Sequence, residues 1–143
     1  MPLELIMESQ PFLESKILTK ALNSYLDKKE IKQIVSLILI DDNAIQKLNL
    51  RDSGIDKATD VLSYSMHEPG DIDMPEVEQL GDIFISLETA QKQAVDHNHS
   101  LLDEVLVLAA HGITHLRGYN HDSPENWQIF LNEQKLVLEL KQV

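Results

Sequence analysis

Residues 101–121 read LLDEVLVLAAHGITHLRGYNH, and most of the architecture follows from them. From Leu101 to Leu116 the segment is apolar nearly all round, which is typical of a helix buried at the centre of a domain. Ser100, immediately before it, is a favourable N-cap residue. We therefore predict a central buried helix over 101–116 that ends in a turn.

Three histidines in this segment are spaced for metal binding. His111 and His115 are four residues apart, so both imidazoles project from one face of the helix about one turn apart. His121 would be out of reach on a continuous helix, but Gly118 can take the left-handed conformation that ends a helix and turns the chain back. The sequence therefore predicts one metal ion per chain on His111, His115 and His121.

Zinc is the metal that this donor set favours, with other divalent metals such as nickel as alternatives. Three imidazoles on zinc leave a fourth position for water, and water bound there ionises near pH 7, as in catalytic sites. A structural zinc that only pins the end of the helix remains an alternative. No catalytic side chain is assigned from the sequence.

Composition narrows the possible classes of protein. The chain has no cysteine, which excludes disulfides, thiolate nucleophiles and iron–sulfur clusters and leaves only His, Asp and Glu as metal ligands. Twelve basic and 24 acidic residues give a net charge of −12, which disfavours anionic membranes and long nucleic-acid footprints. Neither a signal peptide nor a membrane-spanning run is expected, so we expect a cytoplasmic location. The length of 143 residues fits a single domain over 1–143.

Strand and helix patterns are interleaved along the chain and predict the α+β class. We expect a mixed sheet of about four strands packed with about five helices, the central buried helix carrying the metal ligands. The strands are predicted at 3–7, 34–40, 61–66 and 83–86. The helices are predicted from a cap at 9–11 to about 26, from 41–43 to about 50, at 87–95, at 101–116 and at 124–141. No crossover helix fits between 66 and 81, so those two strands need not be parallel, and an acidic loop is expected at 67–80.

The histidine spacing matches that of the metzincin proteases, H-E-x2-H-x2-G-x2-H, with one difference that changes the chemistry. Gly112 stands where those proteases have the glutamate that acts as general base. All four methionines precede the motif, so no Met-turn can follow it. Peptidase activity is therefore disfavoured.

The run HGITHLRGYNH at 111–121 resembles the signature of the YbeY family of single-strand endoribonucleases, H-G-x-L-H-L-x-G-Y-D-H. TDVLSY at 59–64 is similar to the family's T-D-V-L-S-F strand, LGDI at 80–83 to its L-G-D-I strand, and His99-Ser100 to the residues that open its central helix. The resemblance runs over about 48–121. It implies zinc on His111, His115 and His121, a single-stranded RNA substrate rather than DNA, and a role in ribosomal RNA maturation and quality control at the small ribosomal subunit.

The chain departs from the family pattern in places. Asn120, Tyr64 and Ala58 replace the family's Asp, Phe and Pro. The family arginine that is thought to meet RNA phosphate aligns with Ser53, and Arg51, two residues earlier, is not assigned that role. Two other functions stay open: a metal-dependent hydrolase of another substrate, such as a metzincin-like peptidase, and a ribosome-associated factor with a structural zinc.

Other polar residues have weaker signals. Asp122 is expected to cap the last helix rather than to act at the metal. Glu104, two turns before His111 on the same face, is expected either to orient an imidazole or to be exposed at the helix start. Asp60 precedes a strand, and a role at the site and a role as a turn residue are equally expected for it. The other histidines are expected in loops and not as ligands: His67, His97 and His99.

Overall fold

The computed structural model of the chain describes residues 2–8, 12, 14–66 and 79–141. Within this part of the chain the fold has four strands and five helices, so the predicted α+β class is confirmed. The elements, in chain order, are β1 (Leu3–Met7), α1 (Ser15–Lys28), β2 (Ile34–Ile40), α2 (Asp42–Ser53), β3 (Val61–Ser65), β4 (Gln79–Ser86), α3 (Leu87–Asp96), α4 (Leu101–Leu116) and α5 (Pro124–Leu140). None of the helices among these residues is long and apolar enough to cross a membrane.

The sheet has the strand order β1-β2-β4-β3 and is mixed. β1, β2 and β4 are parallel, and β3 is antiparallel to β4, which agrees with the expectation that the last two strands need not be parallel. Six of the seven residues of β2 are buried, which explains its continuous apolar sequence. The described strands thus form one mixed sheet with β4 as an inner strand.

β4 begins earlier than its apolar pattern indicated. Gln79 pairs with Ile34 on β2, so the strand starts four residues before the predicted Ile83. The end of the predicted loop at 67–80 is therefore wrong, because Gln79 and Leu80 belong to the strand. The rest of that loop, with His67, lies outside the described residues.

Two helix boundaries also differ from the predictions. α1 begins at Ser15, after a Glu14 whose side chain makes no capping hydrogen bond, and ends at Lys28, two residues beyond the predicted 26; the predicted cap at 9–11 lies outside the described residues. α2 continues to Ser53, where Gly54 ends it with a φ of 73° and a backbone N–H bonded to the Leu50 carbonyl.

The central position of α4 is confirmed. It packs against β3 and β4 on one side and against α5, α3 and α1 elsewhere, and eleven of its 16 residues are buried. α5 is tied to α1 through Glu133, which accepts hydrogen bonds from the Tyr25 hydroxyl at 2.7 Å and from the Lys29 ammonium at 3.0 Å. These contacts hold α5 beside α1, and α5 also packs against α4.

Candidate metal centre

The end of α4 turns the chain back on itself. The helix ends at Leu116, and Gly118 takes a φ of 96°, as predicted. The Gly118 N–H donates to the His115 carbonyl at 2.9 Å and the Tyr119 N–H to the Thr114 carbonyl at 3.3 Å, a pair of bonds that satisfies the last carbonyls of a helix. This turn brings His121 back towards the last turn of the helix.

The three predicted histidines lie together. The Nε2 atoms of His111 and His115 are 3.2 Å apart. The ring centroid of His121 lies 5.3 Å from that of His111 and 5.2 Å from that of His115. Each of the three histidines offers one ring nitrogen as a ligand atom, and these nitrogens all lie within 4.8 Å of one another. Three converging imidazole nitrogens are a donor set that zinc and similar divalent metals prefer, so the residues present fit such an ion.

Neighbouring groups orient these imidazoles and keep water from their inner side. His115 Nδ1 lies 3.0 Å from the Tyr119 carbonyl oxygen and can donate to it, which leaves Nε2 with its lone pair facing His111. Phe130 of α5 is fully buried and touches all three rings, with centroid distances of 4.8, 4.8 and 5.2 Å. The cluster therefore has an apolar floor.

The pKa values of two of these histidines fit a role as ligands. Burial, followed by the neighbouring imidazoles of His115 and His121, lowers the pKa of His111 to about 4. Burial and then His121 lower the pKa of His115. At neutral pH both rings are neutral, and only a neutral imidazole can offer a nitrogen lone pair to a metal.

Packing of α4 on the sheet explains why position 112 is glycine. A Cβ atom on Gly112 would lie 2.9 Å from Cγ2 of Ile83 and 3.0 Å from Oγ of Ser63. A glutamate at this position, the general base of the metzincins, would collide with β4 and β3. The histidine spacing of the metzincins is thus retained on α4, but the contact of this helix with the sheet leaves no room for their glutamate base.

A second polar cluster lies at the start of α4, and the sequence reasoning missed it. Glu104 is buried, and its Oε1 accepts from His97 Nδ1 at 2.9 Å and lies 2.5 Å from His99 Nε2. One of the two expectations for Glu104 was that it orients an imidazole. Glu104 does orient imidazoles, but they belong to the turn that precedes α4. The hydrogen bond to Glu104 and then its charge raise the pKa of His97. The signal in the sequence that could have shown this cluster is a group of three titratable residues around the cap Ser100, two before it and one after it.

The ligand atoms of this second group also lie within 4.8 Å of one another, close enough to hold an ion. It differs from the first in its bonding. One carboxylate oxygen is shared by His97 and His99 through hydrogen bonds, and a buried carboxylate is stabilised by such donors. In the first cluster no carboxylate stands between the imidazole nitrogens of His111 and His115, which face each other directly.

The remaining candidates have other partners. Asp122 does not cap α5, so that expectation is wrong: Ser123 accepts from the Asn126 N–H at 3.2 Å, and Asp122 accepts from the Asn126 side chain at 3.5 Å. Ser123 takes the cap because its side chain is one residue closer to the first free N–H groups of the helix.

Arg51 is exposed at the end of α2 and paired with its neighbour. Its Nε donates to Asp52 at 2.8 Å, and Asp52 also accepts from the Tyr64 hydroxyl at 2.6 Å. Hydrogen bonds from Arg51 and then Tyr64 lower the pKa of Asp52 to about 2. Ser53, at the position of the family arginine, is the last residue of α2.

A buried helix that ends in three converging imidazoles and packs on a mixed sheet defines the class of this protein as an α+β protein with a candidate metal centre. The chain belongs to the YbeY family, because the family model described as Endoribonuclease YbeY matches residues 7–141. The resemblance found in the sequence is therefore confirmed.

Curated relatives agree over most of the chain. An Endoribonuclease YbeY of Desulforamulus reducens is 50% identical over 109 residues, covering 73% of this chain and 70% of the relative. The Thermus thermophilus protein of that name is 47% identical over 106 residues, with 74% and 75% covered, and that of Brevibacillus brevis is 36% identical over 144 residues, with 92% and 91% covered. A solution structure of a Thermotoga maritima protein is similar with a TM-score of 0.69 and 26% identity, covering 97% of this chain and 88% of that one.

Proposed function

We propose that this chain is a zinc-dependent endoribonuclease that cleaves single-stranded RNA, with His111, His115 and His121 as the metal ligands. The observation that carries the proposal is the convergence of the three imidazoles at the end of α4 in a chain of the YbeY family. A divalent ion held there would supply Lewis-acid polarisation of a phosphoryl oxygen and would acidify water for attack.

The side chains around the cluster perform the tasks that such a reaction asks of the protein. His115 is held in one orientation by the Tyr119 carbonyl. Phe130 closes the inner side of the cluster, so a substrate phosphate approaches from the side of the exposed His121. The packing at Gly112 leaves no room for a glutamate base, which favours a phosphodiester over a peptide as the substrate.

The cellular role follows from the same proposal. We propose a role in ribosomal RNA maturation and ribosome quality control in the cytoplasm, with ribosomal RNA of the small subunit as the partner and no DNA substrate. The relatives named endoribonucleases support RNA as the substrate. We further propose that residues 1–143 act as one domain with one zinc ion per chain.

The function is tested by incubating the purified, zinc-loaded chain with four substrates. These are a single-stranded RNA, the same RNA annealed to its complement, a single-stranded DNA of the same sequence, and casein. We expect cleavage of the single-stranded RNA alone, loss of cleavage with a chelator, and recovery when zinc is added back. Cleavage of casein alone would replace the proposal with a peptidase, and no cleavage with a melting temperature that falls steeply on chelation would indicate a structural zinc.

A further inference from the structure

A cavity of ≈ 340 Å³ opens beside the histidine cluster, between α3, α4, α5 and the start of β3. Its lining includes His111 and, two helical turns earlier on α4, Glu104, together with Trp127 on α5, Asp60 and Gln93. We call it the Trp127 cavity. Its volume lies in the range of pockets that bind small organic groups. Because His111 belongs to both, whatever occupies the cavity is adjacent to the candidate metal centre.

Trp127 is an aromatic surface fixed in place beside the cavity. Its ring lies nearly parallel to that of Phe130, at 26° with centroids 6.4 Å apart, and nearly perpendicular to that of His121, at 80° and 5.5 Å. The residue nevertheless remains 43% exposed. A tryptophan held by its neighbours with an exposed part is the kind of platform on which unpaired bases of single-stranded nucleic acids stack.

The polar groups of the cavity suit the edge of a base. Asp60 is held by the Val61 N–H, which donates to Oδ1 at 2.8 Å, and by the Gln93 amide, which donates to Oδ2 at 3.2 Å. A fixed carboxylate next to an amide offers acceptors and a donor side by side. Carboxylates and amides are the side-chain groups that hydrogen-bond the edges of bases.

The carboxylates of the cavity disfavour a phosphate as its occupant. Two lining residues, Asp60 and Glu104, carry carboxylates, and Glu104 has hydrogen-bonding imidazoles from His97 and His99. A phosphate group placed between these carboxylates would be repelled by them, whereas a nucleobase is uncharged and would not be repelled. The same repulsion disfavours an acidic peptide.

We propose that the Trp127 cavity holds one unpaired nucleobase of the RNA substrate, stacked on Trp127 and hydrogen-bonded to Asp60 and Gln93, next to the phosphate that is cleaved. The inference rests on the proposed RNA cleavage and adds to it a binding site for a base. It also gives a physical reason for the preference for single strands, since a base that is paired in a duplex cannot enter the cavity.

Binding can be followed directly because Trp127 is the only tryptophan of the chain. The zinc-loaded protein is titrated with a 2′-O-methyl hexaribonucleotide, whose integrity is checked on a gel, and with an abasic hexamer that keeps the same backbone. We expect saturable quenching of the tryptophan fluorescence by the hexamer that contains bases and none by the abasic one. Equal quenching by the two, or none by either, overturns the proposal.

Kinetics supply a second and independent readout. Trp127→Ala is expected to raise KM for single-stranded RNA about tenfold, equivalent to about 1.4 kcal/mol, with kcat changed far less. Trp127→Phe should restore most of the affinity. Leu131→Ala is the matched control, because Leu131 is similarly exposed at 40% on the same helix and does not line the cavity.

The outcomes separate this inference from the function on which it rests. An unchanged KM in a Trp127→Ala protein that melts like the wild type overturns the base site and leaves the endoribonuclease proposal intact. A wild-type protein that cleaves no RNA refutes the proposed function. In that case saturable, base-dependent quenching would still support a nucleobase site.

Discussion

His115 contributes little to the hydrophobic core. It supplies one of the three imidazole nitrogens that converge at the end of α4. We therefore expect His115→Ala to reduce cleavage of single-stranded RNA at least tenfold, a change in the barrier of about 1.4 kcal/mol or more. The melting temperature should fall only modestly, since a partly exposed side chain is lost. RNA cleavage and thermal melting of both proteins, with and without a chelator, measure the two effects.

Elemental analysis provides the control for His115. The wild type should hold about one divalent ion per chain, and the variant should hold less. If cleavage were unchanged while the melting temperature of His115→Ala collapsed, the metal would be structural, because its binding free energy would then be part of the folding free energy.

His97 gives the protein a pH dependence of a different origin. Glu104 raises the pKa of His97 above its ordinary 6.5, so the protonated ring stabilises the folded state. This contribution is fully present below pH 6.5 and is lost as the pH rises through the raised pKa. We expect an NMR titration to give His97 a pKa above 6.5 in the wild type and close to 6.5 in Glu104→Gln.

The matched control for this titration is Asp96→Asn. Asp96 raises the pKa of His97 less than Glu104 does, so its removal should move that pKa much less than Glu104→Gln does. A His97 pKa that Glu104→Gln leaves unchanged would contradict the assignment of the contact.

At this scale the convergence of the three histidines could be predicted, whereas the Glu104 cluster had only a weak signal in the sequence. His111 and His115 are linked by helical geometry, and Gly118 indicates the turn that returns His121, so the sequence contains the whole arrangement. His97 and His99 reach Glu104 only because the chain turns at Asn98, which has a φ of 58°. No regular periodicity describes such a turn.

The turn after α4 is the element on which the geometry of the cluster depends. Gly118 has a φ of 96°, a conformation that costs other L-residues about 1–2 kcal/mol, while asparagine tolerates it better. We expect Gly118→Ala to lower the free energy of unfolding by about this amount and to weaken metal binding, because His121 is displaced. Gly118→Asn should show a smaller loss of both. Urea unfolding and zinc titration measure the two quantities.

Gly54 supplies a control for the backbone strain itself. It ends α2 with a φ of 73°, and a Cβ atom added there would have no atom within 4 Å. Gly54→Ala should therefore lower the stability in a similar way and leave zinc affinity unchanged. If Gly118→Ala and Gly54→Ala affected zinc affinity equally, the turn after α4 would have no special role in placing His121.

The elements themselves were predictable where one face or the whole segment is buried. β2 and α4 match their predicted ranges because burial of nearly every side chain leaves a continuous apolar run. β4 was predicted too short because its first residues include Gln79 and Asp82, polar residues that pair with β2 and contact each other at 2.8 Å. Pairing between strands, rather than apolar pattern, sets that boundary.

At the scale of the whole molecule, the net charge of −12 opposes binding of a polyanion. The proposed contacts with RNA are local: a phosphate at the metal and a base on Trp127. The affinity of a protein for a single-stranded nucleic acid falls as the salt concentration rises. The logarithm of the binding constant falls linearly with the logarithm of the salt concentration, with a slope of about −0.7 for each phosphate that the protein neutralises. Salt also screens the repulsion between RNA and the acidic surface, which acts in the opposite direction.

We therefore expect KM for single-stranded RNA to rise less than about tenfold between 50 and 200 mM salt, the result for about one or two neutralised phosphates. A protein that binds RNA along an extended basic surface would lose affinity by about a thousandfold or more over the same range. Initial cleavage rates at several RNA concentrations and four salt concentrations give the slope, with zinc held constant. A slope of about −4 or steeper would contradict local binding, because it would require several neutralised phosphates along the strand.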